Sequence, residues 1–257
     1  MSNKRIVLIG GGSGVSALVR KICEQQFCEE LTVLVPISDA GGSSGILRER
    51  LGIPAVGDLR QNFSASISLT WAKIFEKRQG QHPLGNLILA FWLKKFGLNQ
   101  ALANYAELLQ TKVRVLPSAQ TPSTLIGKFG EQGVLCGEQN FEHPAQQFCR
   151  ERDCQVTLKP QPKMQPAAAA ALKSATKIIV GPGSFFGSLV VHFLVQDFAR
   201  IFRQAPAQKI LIRNCTQHFA AEQDYARFLP VKFTQVFEPP AKKLRWPSEV
   251  LVKLIRA

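Results

Sequence analysis

The chain lacks any apolar run approaching the roughly 20 residues that a helical membrane span requires, so no such span is expected. It is also short of acid. Its 257 residues hold 18 Asp and Glu against 32 Lys and Arg, for a formal net charge of +14. That imbalance predicts attraction to polyanions, nucleotides and nucleic acids included, without choosing among them. No dense basic block appears, however, and the cations are spread along the chain. A generally cationic surface is therefore expected ahead of a nucleic-acid site. Cys23, Cys28, Cys136, Cys149, Cys154 and Cys215 form no CxxC pair, and the four histidines supply no zinc spacing. Scattered thiols without a signal peptide fit a reducing compartment, so the expected location is cytoplasmic. Repeats and low-complexity tracts are missing as well.

What remains is an ordinary globular composition, 46% hydrophobic and 19% charged. The length is ample for a sizeable core. The expected fold is α/β, a Rossmann-like three-layer sandwich with a mostly parallel sheet and a small β excursion. The expected organisation is a single nucleotide-binding domain over 1–257 with a β-rich insertion near 112–158.

The central stretch is Ser38-Asp39-Ala40-Gly41-Gly42-Ser43-Ser44-Gly45, after a buried-strand pattern from Leu31 to Ile37. Glycines let a backbone bend sharply and approach a ligand. Serine hydroxyls suit phosphate oxygens, and an aspartate suits ribose hydroxyls or a metal. Upstream, Arg5–Ile9 reads as a strand, Gly10-Gly11-Gly12-Ser13-Gly14 as a turn, and Val15–Phe27 as a helix, with apolar residues at Val15, Leu18, Val19 and Ile22. This is the opening of a dinucleotide-type βαβ unit, whose helix N-terminus can bind phosphate. Asp39 follows about 25 residues later, near the spacing of a ribose-binding acid.

The loop is expected to continue to Gly57. Asp58 then opens a helix as an N-cap, with Asn62 on the same face and Arg60 close by. Leu59–Phe75 reads as helical throughout. His82, standing before Pro83, reads as a turn residue. Gly85-Asn86 opens a helix from Leu87 to Phe96, and Ala101–Leu109 is a further amphipathic helix. Val113–Leu116, Ser123–Phe129 and Val134–Gly137 read as short strands of the β excursion. Lys177–Val180, then Gly181-Pro182-Gly183-Ser184, then an apolar helix from Leu189 to Phe202 form a second strand, glycine turn and helix. Two such loops favour a ligand lying across strand ends at a switch point.

Taken in order, Gly10–Gly14, Asp39 with Gly41-Gly42-Ser43-Ser44-Gly45, Gly57-Asp58-Leu59-Arg60, Gly85-Asn86 and Gly181-Pro182-Gly183-Ser184 resemble the YvcK-like family, the gluconeogenesis factors. That family is related to CofD, the 2-phospho-lactate transferase of deazaflavin coenzyme synthesis. The match runs from about Ile6 to Tyr225. The resemblance implies a Rossmann-like fold with a nucleotide or nucleotide-sugar ligand, UDP-linked N-acetylglucosamine in particular, at the strand C-termini. It also implies roles in carbon metabolism, cell shape and envelope control. The nucleotide- and phosphate-binding residues it implies are Gly11, Gly12, Ser13, Gly14, Asp39, Gly41, Gly42, Ser43, Ser44, Asp58, Arg60, Asn62, Asn86, Gly181, Gly183 and Ser184. Ala40 stands where the family usually has a second acid. Asp58-Leu59-Arg60-Gln61 replaces Asp-Ile-Arg-Asn, with Asn62 one place late.

The expected function is accordingly a non-catalytic nucleotide-sugar-binding regulator. A CofD-like transferase is the alternative, with magnesium bridging the diphosphate to Asp39 or Asp58. A nucleic-acid-associated protein is the remaining reading and rests on charge alone. Catalytic residues are not assigned, no cofactor beyond that conditional magnesium is expected, and self-association as a homodimer is left open.

Overall fold

Strand Arg5–Ile9 (β1) is apolar at four of its five positions, and Ile6, Val7, Leu8 and Ile9 are all buried. Continuous burial of this kind belongs to a parallel strand covered on both faces. In the computed structural model β1 pairs in parallel with Glu30–Val35 (β2) and with Lys177–Val180 (β9). Arg114–Pro117 (β5) extends the sheet beyond β2, while Gln208–Ile212 (β10) and Gln235–Phe237 (β11) extend it beyond β9. The order is β11-β10-β9-β1-β2-β5, parallel throughout and flanked by helices, a Rossmann-like α/β fold. The structure describes residues 4–38, 41–129, 133–137, 140–141, 154–215, 222–238 and 246. Asp39 and Ala40 lie outside the described residues.

Gly12–Gln25 (α1) buries Val15, Leu18, Val19 and Ile22, the stripe its spacing predicts. Each such fully buried side chain contributes about 1.5–3 kcal/mol through water exclusion. The stretch from 41 to 57, expected to be loop, instead holds a helix, Gly42–Leu51 (α2). Only Ser44 and Leu47 of α2 are buried, so its apolar stripe is too thin to read. Its sequence signals are at its end: Arg48 and Arg50 in the last turn, and Gly52 in the left-handed region at φ 65°.

The single helix expected from Leu59 to Phe75 is two, Gly57–Ala65 (α3) and Leu69–Glu76 (α4), parted at Ser66–Ser68. Arg78–Gln79 (β3) and His82–Pro83 (β4) form a short antiparallel ribbon. The ribbon leads into Leu84–Leu108 (α5), whose two helical stretches meet at a non-helical Gly97. Thr124–Phe129 (β6), Val134–Cys136 (β7) and Cys154–Lys159 (β8) make a separate antiparallel sheet. The first strand read with that excursion, β5, belongs to the main sheet.

Pro166–Ser174 (α6) packs against β1 and β5. The apolar helix expected from Leu189 starts earlier, as a π-helical segment Phe185–Val190. It continues through Val191–Phe193 and is separated by Leu194–Asp197 from Phe198–Gln204 (α7). Glu222–Phe228 (α8) precedes β11.

His192 lies at the end of the π-helical run, fully buried beside Phe198 at 5.7 Å between ring centroids. Burial pushes its pKa down to about 3, with the Ser188 backbone acting in the opposite direction. Because the folded pKa lies below the unfolded value, the stabilisation is complete above about pH 6.5. It is lost as pH falls toward 3, at about 1.4 kcal/mol per pH unit. Urea denaturation should therefore find the protein roughly 2 kcal/mol less stable at pH 5 than at pH 7.5 on this account. His192→Leu should flatten that slope, and an unchanged slope would remove His192 as its source.

Candidate functional site

From β1 the chain crosses to β2 through α1, whereas β9 lies on the other side of β1. The strand order thus reverses between β1 and β9, where open α/β sheets form their ligand crevice. Gly10–Gly14 and Gly181–Ser184 leave the C-terminal ends of these two strands. Gly10 N–H donates to the Leu34 carbonyl at 3.0 Å, and Gly181 N–H donates to the Ile9 carbonyl at 2.9 Å. The two turns are packed backbone to backbone. A Cβ on Gly14 would strike the Pro182 carbonyl. One on Gly183 would come 2.7 Å from Ser188 Cβ and 3.5 Å from the Gly11 carbonyl oxygen.

The first turn of α3 ties the remaining motifs to this junction. Asp58 does not cap its own helix, whose N-cap is Val56. Instead its Oδ1 accepts the Gly12 N–H at 2.8 Å, and a Cβ on Gly11 would run into its carboxylate. A negative charge at the start of α1 is favourable to the helix dipole. It also leaves that terminus less inviting to a second anion than the sequence suggested.

Ser44 is 4% exposed, and its Oγ accepts N–H bonds from Val56 (2.9 Å) and Gly57 (3.1 Å). This joins the start of α2 to the start of α3. Asn62 is fully buried and donates through Nδ2 to the Asp58 carbonyl at 2.9 Å. Its amide supports the α3 turn from within.

A second cluster runs outward from α3. Arg60, 8% exposed, donates through Nε to Asn86 Oδ1 at 2.9 Å. Asn86 Nδ2 donates to Ser43 Oγ at 3.0 Å, and Ser43 Oγ lies 2.8 Å from His82 Nδ1. Burial lowers the Arg60 pKa from its ordinary value, with Tyr105 raising it. A Cβ on Gly85 would come within 2.6 Å of Tyr105 Oη and 2.9 Å of Arg60 Cγ, which is why the residue before Asn86 has no side chain. Ser43 is half-buried and Gly42 exposed at the mouth, and Gly42 has open space around it at φ 49°. The N-cap residue of α2 is Gly41, which has no side chain to cap it.

Of the residues picked from sequence, Gly11, Gly12, Gly14, Asp58, Gly181 and Gly183 gather at the junction of the two glycine turns. Ser13 is exposed beside them, and Ser184 Oγ lies 3.0 Å from Ser188 Oγ at the head of the π-helical segment. Gly41, Gly42, Ser43, Arg60 and Asn86 gather at the start of α2, with Ser44 and Asn62 buried as braces. Asp39 is outside the described residues.

Two residues at the site were missed from sequence. His82 looks like a turn residue because its partner Ser43 is 39 positions away, though the following Pro83-Leu84-Gly85-Asn86 helix start could have drawn attention to it. Arg48 donates to the carbonyls of Ser38 (2.9 Å) and Ser123 (2.7 Å), which fastens the end of the β2 segment to the small sheet. No sequence pattern marks it. Just past β10, Arg213 lies over the Tyr225 ring at 4.5 Å, and Phe185 meets that ring at 4.8 Å. Burial pushes the Tyr225 pKa up to about 12.

Among the described residues, no group of three or more His, Cys, Asp or Glu side chains gathers as a metal site. No helix among them is long and apolar enough to cross a membrane.

Comparison with known proteins shows the family and the fold. The family profile of 2-phospho-L-lactate transferase CofD matches residues 6–233. A putative gluconeogenesis factor of Deinococcus radiodurans is 34% identical over 219 residues, covering 82% of this chain and 46% of that protein. The chain thus spans about half the length of that relative. The gluconeogenesis factor of Bacillus subtilis is 31% identical over 220 residues, covering 82% of this chain and 67% of its own length. A solved Bacillus halodurans protein superposes over the whole of both chains with a TM-score of 0.81 at 21% identity, a likeness of fold. The chain belongs to the CofD family and, within it, groups with the gluconeogenesis factors.

Proposed function

We propose that the protein is a regulator of carbon metabolism that binds a nucleoside diphosphate compound, of the UDP-sugar type, without turning it over. The observation that carries this reading is the convergence of both glycine turns and the start of α2 on the first turn of α3, at the switch point of a parallel sheet. The phosphate seat in this reading is the start of α2, where Ser43 and Asn86 supply polar groups beside the helix N-terminus. Asp58, lodged against Gly11 and Gly12, faces the hydroxyl-bearing part of the ligand. Gluconeogenesis factor, the name borne by the relatives, supports the metabolic setting, and the family resemblance supports the sugar nucleotide.

Magnesium fits these residues only in part. It is usually held by one or two carboxylates together with phosphate oxygens. Asp58 offers one carboxylate, already engaged with the Gly12 N–H. Magnesium bound there would neutralise diphosphate charge.

Titration calorimetry with UDP, GDP, a UDP-sugar and uridine tests the reading. The diphosphates should bind at least about tenfold more tightly than the nucleoside, a difference of about 1.4 kcal/mol. EDTA should change their affinity by less than that factor. Gly12→Val projects a branched side chain into space that holds no atom within 4 Å of the added Cβ. It should abolish binding in a protein that still melts cooperatively, its left-handed φ alone costing about 1–2 kcal/mol. Equal affinity for UDP and uridine, or turnover of any donor within seconds, would sink the reading.

A further inference from the structure

The outward face of α5 is apolar where a surface helix is ordinarily polar. Toward the core this helix sets Leu89, Ala90 and Leu93, all buried. On the opposite side, four and then three residues apart, stand Leu84, Ile88 and Phe91, and Phe91 is 60% exposed. Beside α5 lies α4, whose Lys77 carbonyl accepts the Leu84 N–H at 2.8 Å. Phe75 of α4 and Trp92 of α5 both meet the buried Tyr105, each at 6.0 Å between ring centroids. Trp71 and Ile74 of α4 stay outside that cluster, Trp71 at 59% exposure. Trp71 and Phe91 thus each leave roughly 100 Å² of aromatic surface in water.

The charge on this stretch has one sign. Between residues 69 and 96, Lys73, Lys77, Arg78, Lys94 and Lys95 are all exposed, and the sole acid is Glu76. Lys95 Nζ lies 5.8 Å from the Phe91 ring centre and 5.1 Å from that of Phe96. A long stem beside a projecting ring lets the ring enter an apolar medium while the ammonium stays at its polar boundary. We propose that the α4–α5 face docks on an anionic lipid surface, with Trp71 and Phe91 entering the headgroup boundary and the surrounding cations meeting lipid phosphates. A second copy of the chain fits the face poorly, because two cationic surfaces would meet. The open apolar area, a few hundred Å², also falls short of the about 800 Å² per partner of a standard interface. Projecting rings need no shaped groove in a fluid interface, and anionic lipid supplies the missing negative charge. This docking does not depend on nucleotide binding.

The experiment sediments the full chain with vesicles of phosphatidylcholine alone, or of phosphatidylcholine mixed with an equal part of phosphatidylglycerol. The mixed vesicles should bind at least about tenfold more tightly, and added salt should weaken that binding. Tryptophan emission should shift to the blue on binding. Trp71→Phe keeps a ring at the face, so it should bind within about threefold of wild type and lose the shift. Phe91→Ser should weaken binding at least about tenfold while melting like wild type, since its ring is mostly in water already. Lys73→Glu with Lys95→Glu should do the same, at about fivefold or more per site. Lys128→Glu with Lys173→Glu alters two exposed lysines elsewhere by the same charge and should cost less than about threefold. Equal losses from the two lysine pairs would mean that net charge, and not this face, holds the vesicle. Full binding by Phe91→Ser, or no binding of mixed vesicles by the wild type, overturns the proposal. So does polyglutamate binding as tight as vesicle binding, which would give the face to an acidic chain, or a concentration-dependent dimer that Phe91→Ser abolishes, which would give it to a second copy.

Discussion

Gly14→Ala is expected to lower the melting temperature by roughly 6–12 °C, taking overpacking at about 3 kcal/mol and 2–4 °C per kcal/mol for a chain of this size. The added methyl has nowhere to go, since it points at the Pro182 carbonyl on the neighbouring turn. A backbone atom cannot swing aside as a side-chain end can, so one turn must move against the other. That movement opens the crevice between β1 and β9, and nucleotide affinity should fall with stability. Gly11→Ala should behave differently although it is only three residues away. Gly11 has an extended backbone, and its methyl would meet the Asp58 carboxylate. Displacing that side chain breaks the Gly12 N–H bond while the rest of the fold stays in place. A thermal shift series over Gly11→Ala, Gly12→Ala and Gly14→Ala should therefore put Gly14 lowest. A Gly14 variant as stable as wild type would mean that the two turns are not in contact.

The two adjacent serines should separate cleanly. Ser44→Ala is expected to cost about 2–4 kcal/mol, because it removes the acceptor shared by the Val56 and Gly57 N–H groups and leaves both without a partner. It should unfold at lower urea, with affinity for nucleotide falling only as far as folding does. Ser43→Ala should change stability by less than about 1 kcal/mol, because its hydroxyl sits half-buried at the mouth. It should nevertheless weaken diphosphate binding about tenfold. Urea denaturation and calorimetry on the two variants decide the matter, and the reverse pattern would exchange the roles assigned to them.

Both strand-turn-helix units were legible in the sequence because their signals are local. A buried strand is a short run of apolar residues, α1 is an apolar stripe at helical spacing, and a glycine cluster between them has few other uses. The helix α2 was not legible, since it buries only Ser44 and Leu47 and begins with Gly-Ser-Ser-Gly, which resembles a loop. The break at Ser66–Ser68 was hidden for the opposite reason. The apolar pattern runs on across it, and only packing between α3 and α4 makes a change of direction favourable. The interruption at Gly97 falls between the two helices expected over Leu87–Phe96 and Ala101–Leu109.

The sequence alone determined the class of the fold, the position of the two glycine turns at strand ends, and the family to which the ordered motifs point. These rest on the period of apolar residues and on residue types whose conformational limits are their own. Only the tertiary structure decided that Asp58 serves α1 rather than α3, that Ser44 braces while Ser43 faces outward, and that His82 stands against Ser43. Each of those assignments is a hydrogen bond between residues 12 to 46 positions apart. Such a bond exists because the parallel sheet carries its turns to one edge, and no local spacing records which turn arrives beside which.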